Sequence, residues 1–129
     1  MLSRAILLTA AISVADLPLQ AIAGADDYSF EPVQAEIQKG DATIGVRLVQ
    51  KSTSKPVADA VIVRSRVDMT PDGMPTMDSP LKLESGTEPG VYSFKTTLPM
   101  AGRWLLSIAA KVQGEPETVI GKITYTVTP

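Results

Sequence analysis

From Gly24 onward, apolar and polar residues alternate with period two along most of the chain. Ala42, Ile44, Val46 and Leu48 share one face, with Thr43, Gly45 and Arg47 between them. Val57, Val61, Val63, Val67 and Met69 form a second apolar row, and Leu81 and Leu83 a short third one. Tyr92, Phe94, Thr96 and Leu98 follow, then Trp104, Leu106, Ile108, Ala110 and Val112, and last Val119, Ile123, Tyr125 and Val127. Strands with one buried and one wet face read this way. A first segment, Tyr28 to Ile37, changes its apolar parity across Pro32, and a proline within a strand belongs at an edge or a kink.

These segments, A to G in chain order, are separated by turn-forming runs such as Lys39-Gly40-Asp41, Thr70-Pro71-Asp72-Gly73, Glu88-Pro89-Gly90 and Gly114-Glu115-Pro116. About seven short strands in roughly a hundred residues predict an all-β, immunoglobulin-like antiparallel β-sandwich. If consecutive strands join at alternating ends, the A–B, C–D and E–F connections emerge at one pole. The other three connections emerge at the opposite pole. Loops at such poles are where these domains bind.

Before the alternating region the pattern is different. Arg4 precedes the apolar run Ala5 to Ala15, Asp16 and Pro18 end it, and Ala21-Ile22-Ala23 has the small-residue spacing of a signal-peptidase site. The run is too short to span a bilayer comfortably. The expectation is a cleaved signal peptide over residues 1–23 and an exported, periplasmic mature domain over 24–129, with no stable membrane span after cleavage.

Composition narrows the chemistry. The 129 residues include no histidine and no cysteine, which removes disulfides, the usual zinc sites, thiol or imidazole nucleophiles and an imidazole base. A formal net charge of −2 provides no basic field for nucleic acid. Lys51-Ser52 and Ser54-Lys55 lack a third group to orient a base, so no Ser/Lys nucleophile is read there, and the expectation is that the protein is not an enzyme.

What remains is sulfur. Apart from Met1, every methionine lies between Met69 and Met100: Met69 ends segment C, Met74 and Met77 fall in the C–D connection, and Met100 follows segment E. Strand counting brings Met69, Met74, Met77, Met100 and Trp104 to one pole. Thioether sulfur is a soft, neutral ligand that selects Cu(I) and needs no deprotonation. Trp104 would shield such an ion with its ring, or else serve as the main core aromatic. The same methionines would equally plug the end of the core without metal. Asp68, Asp72 and Asp78 do not match an EF-hand spacing and read as solvated loop acids rather than calcium ligands.

The runs Val67-Asp68-Met69, Gly73-Met74-Pro75 with Met77, Pro89-Gly90-Val91-Tyr92-Ser93-Phe94 and Met100-Ala101-Gly102-Arg103-Trp104-Leu105-Leu106 resemble the YtkA-like domain, a relative of the FixH-type proteins. The similarity covers roughly Ala35 to Val127. It implies a small exported β-sandwich without catalytic activity, in a setting of copper or heavy-metal handling, with a membrane efflux transporter or an oxidase-assembly protein as partner. A metal role carries over only onto Met69, Met74, Met77, Met100 and Trp104. Many copper-handling proteins add histidine, and its absence here favours Cu(I) over Cu(II). The alternative function is a metal-free interaction module accessory to such a membrane complex.

Overall fold

The computed structural model describes residues 25–84 and 88–129, so the expected leader lies outside the described residues. Among these, ten strands form two packed sheets: β1 (Tyr28–Pro32), β2 (Glu36–Gln38), β3 (Gly40–Gln50), β4 (Lys55–Pro56), β5 (Val61–Met69), β6 (Met74–Ser79), β7 (Lys82–Glu84), β8 (Val91–Leu98), β9 (Gly102–Lys111) and β10 (Val119–Thr128). One sheet has the order β1-β3-β8-β7, with β4 beside β3; the other has the order β2-β10-β9-β5-β6. Pairing is antiparallel throughout except where β2 runs parallel to β10. With segments A to G mapped onto these strands, the sheets hold A, B, E, D and A, G, F, C. That is the immunoglobulin-like sandwich.

The inward rows of segments B, E, F and G fill the core as expected. Ile44, Val46, Leu48, Phe94, Leu98, Trp104, Leu106, Ala110 and Tyr125 are completely buried. The two sheets are also joined by one polar bond: the Tyr125 hydroxyl on β10 donates to the Gly45 carbonyl on β3 at 2.9 Å. Burial pushes the Tyr125 phenol upward, so it stays a neutral donor.

Three departures from the alternation have local causes. The parity change at Pro32 is where segment A leaves one sheet for the other: β1 pairs with β3, and β2 pairs with β10. In segment C, β5 carries a bulge between Ile62 and Arg64. The extra residue turns Val61 and Val63 out to solvent and brings Ile62 to the core side, correcting the expected inward row. The C–D connection contains a strand of its own, β6, so Met74 and Met77 lie on a strand rather than in a loop. Leu83 sits on the short edge strand β7 and stays largely exposed.

Candidate functional site

The end of the sandwich that carries the methionines is closed by two short connections. β5 and β6 are joined by a 3-10 turn, Thr70–Asp72, in which Pro71 presets φ and Gly73 leaves with φ 76°. The Gly73 N–H returns to the Thr70 carbonyl at 2.9 Å. Between β8 and β9 the chain crosses through Pro99, Met100 and Ala101.

Asp72 ties these connections together. Its carboxylate accepts from the Arg103 backbone N–H at 2.7 Å and from Arg103 Nε at 2.8 Å, while Arg103 Nη2 donates to the Pro71 carbonyl at 2.8 Å. The Arg103 backbone N–H and then its guanidinium hold the Asp72 carboxyl below its ordinary range. A second clasp joins β5 to β6, because Arg66 donates to Asp68 and Asp78, both at 2.9 Å, and to the Pro75 carbonyl at 2.8 Å. Asp68 is buried, which by itself raises its pKa. Bonds from the Thr70 hydroxyl and N–H, with the Arg66 guanidinium, outweigh that burial and hold the carboxyl low. All three aspartates of this region are therefore taken up by arginines. Among the described residues no three of His, Cys, Asp and Glu gather to hold a metal.

The methionines occupy three different environments. Met69 is only 1% exposed and belongs to the core. Met74 stands opposite it in the β5–β6 register and is half-buried against the core. The register then passes to Asp68 opposite Asp78, so Pro75, Thr76 and Met77 have no counterpart on β5, and Met77 packs on the core's flank. Met100 is 39% exposed on the β8–β9 connection.

Gly102, two residues beyond Met100, brings that connection close to Met69. Its φ of 141° suits glycine, and a Cβ there would fall 2.6 Å from the Met69 methyl and 2.5 Å from an Asp72 oxygen. Trp104 is fully buried, and its indole N–H donates to the Met100 carbonyl at 3.0 Å. It thus takes the core position and fastens the Met100 connection from beneath. The structure therefore brings Met69, Met74, Met100 and Trp104 to one pole and sets Met77 at its side. The clasps through Asp72, Arg103 and Arg66 were not read from the sequence. The available signal was the pole argument, which brings the C–D and E–F connections to one end and so could have suggested a bond between Asp72 and Arg103, 31 residues apart, although Asp72 reads from the sequence as a solvated loop acid.

Another concavity, an open cavity of about 580 Å³, lies against β3, β8 and the β6–β7 link and is lined by Asp41, Thr43, Leu81, Lys82, Lys95 and Thr96 among others. No methionine lines it.

The model of the YtkA-like family matches residues 22–109, a span that contains all four methionines and Trp104. No curated protein matches the chain. Among solved structures, the chain is similar to the Lin-41 filamin domain, with 15% identity, a TM-score of 0.48, and coverage of 82% of this chain and 94% of that one. A DUF4785 family protein from Legionella pneumophila gives 17% identity and a TM-score of 0.45, covering 76% and 27%. The ZirS C-terminal domain gives 15% identity and a TM-score of 0.44, covering 99% and 88%.

Proposed function

The chain belongs to the YtkA-like family, and from that premise we propose that it is an exported, non-catalytic module that binds or relays Cu(I) at its methionine pole. The observation that carries this reading is the meeting of Met69 and Met74 across β5 and β6 at the end where the Met100 connection closes over Met69. Three thioethers, graded from buried Met69 through half-buried Met74 to exposed Met100, would supply a soft, neutral donor set, and a monovalent ion bound to them needs no carboxylate to balance a second charge. Met77 is the fourth donor, held on the stretch of β6 that lacks a counterpart. Met100, the most exposed of the four, is the point of entry and of hand-over to a membrane efflux or oxidase-assembly partner.

The competing reading is a metal-free interaction module whose methionines plug the core, and the burial of Met69 favours it at that one residue. Titration of the protein under anaerobic conditions against a chromophoric Cu(I) chelator separates the two. The parent withdraws one equivalent of Cu(I), and a variant with leucine at Met69, Met74, Met77 and Met100 withdraws none while remaining folded. If the parent withdraws no Cu(I), or the leucine variant withdraws as much, the metal reading fails and the interaction module replaces it.

A further inference from the structure

We infer that the outer face of the β5–β9–β10 sheet, toward the pole opposite the methionines, is a docking surface for an acidic polypeptide segment bearing aliphatic side chains. Register builds the patch. Val61 stands opposite Lys111; the bulge sets Val63 and Arg64 together opposite Ala109; and Ala109 stands opposite Ile120 on β10. Ile120 is 71% exposed, Val61 62% and Val63 50%. Single exposed aliphatics are ordinary. Here three of them lie in two adjacent rows, with Val63 and Ile120 two inter-strand spacings (roughly 10 Å) apart on one sheet face.

Charge selects the occupant. β5, β9 and β10 contribute Arg64, Arg66, Arg103, Lys111 and Lys122 to this face and a single acid, Asp68, in a protein of formal net charge −2. Arg66 is engaged by Asp68 and Asp78, and Arg103 by Asp72. Among the described residues, Arg64, Lys111 and Lys122 form no ion pair, and they flank the aliphatic row. The acids of the adjoining loops, Asp59, Glu115 and Glu117, form no ion pair with them either.

A second copy of this chain in a two-fold contact would set these cations against themselves. A bilayer calls for long or aromatic side chains that reach into the acyl region, whereas valine and isoleucine on a sheet face extend little beyond the backbone. An acidic segment with aliphatic residues at alternate positions covers Ile120 and Val63 and neutralises the three cations at once. This surface does not depend on the metal reading and is tested without metal.

The probe is a labelled peptide of alternating Glu and Val, followed by fluorescence anisotropy. Saturable binding is expected, weakening as salt rises. Ile120→Asp and Lys122→Glu should each weaken it about tenfold or more, whereas Lys82→Glu on the other sheet should leave it unchanged. Both affected positions are exposed, and near-ultraviolet circular dichroism checks that the variants keep the parent fold. The proposal is overturned if the peptide fails to bind, if a Lys/Val peptide binds equally well, or if the two variants bind like the parent. Phosphatidylglycerol vesicles that capture the protein through Ile120 while the peptide does not would assign the face to a membrane. Self-association abolished by Ile120→Asp would assign it to a second copy.

Discussion

Asp68 shows how single side chains hold the methionine pole together. Its folded-state pKa is depressed, so its stabilising contribution is fully present above the unfolded carboxyl value of 3.8 and is lost as pH falls through the lower folded value. Asp68→Ala leaves the Thr70 donors without their acceptor, removes one of the three acceptors of Arg66, and should cost about 1.5–3 kcal/mol at pH 7, the usual range for bonds to a charged group. The difference from the parent should shrink at an acid pH below the depressed folded value, where the parent carboxyl is itself protonated. Urea unfolding at the two pH values measures both. A deficit of equal size at both would refute the charge-based account. Tyr125→Phe removes one of two donors to the Gly45 carbonyl, which keeps the Val33 N–H at 3.0 Å, and should cost about 0.5–1.5 kcal/mol by the same measurement, with no effect on the pole.

At the scale of elements, the pole depends on how closely the start of β9 approaches Met69 and Asp72. Gly102→Ala forces a Cβ into the Met69 methyl and the Asp72 carboxylate at a backbone angle that suits glycine. It should destabilise the protein by more than about 1 kcal/mol and shift the resonances of Met69 and Arg103 together. The sequence made some elements legible and hid others for physical reasons. Segments F and G were readable because Trp104 to Val112, and Val119 to Val127 apart from Gly121, keep a two-residue period against one buried layer. Segment C misled at Val61 and Val63, because Val63 is the extra residue of a bulge that inverts the facing of the β5 residues before it and leaves no compositional mark among valines. β6 was hidden by Pro75 and by the three-residue spacing of Met74 and Met77, which follows from a stretch without a counterpart on β5. The convergence of the methionine connections was legible from strand parity alone. Their unequal burial was not, since it depends on how tightly the turns close.

For the whole molecule, one layer of side chains carries both the stability and the placement of the pole. Trp104 is fully buried between the sheets and also holds the Met100 carbonyl. Trp104→Ala should cost about 3–5 kcal/mol, a large share of the ~5–15 kcal/mol available to a domain. Thermal unfolding of the variant checks this, and a melting temperature equal to the parent's would contradict it. Methionine-to-leucine changes conserve volume and should each cost less than ~1.5 kcal/mol, so the fold and the sulfur chemistry can be tested apart. The central claim is that these sulfurs bind Cu(I), and it is read most directly from the methionine methyl resonances of ¹³C-labelled protein during anaerobic Cu(I) addition. The account predicts that the methyls of Met69, Met74, Met77 and Met100 move together and saturate at one equivalent, at pH 5 as at pH 7, because thioethers release no proton on binding. Methyl resonances that stay in place through several equivalents, or that move only at pH 7, would contradict it.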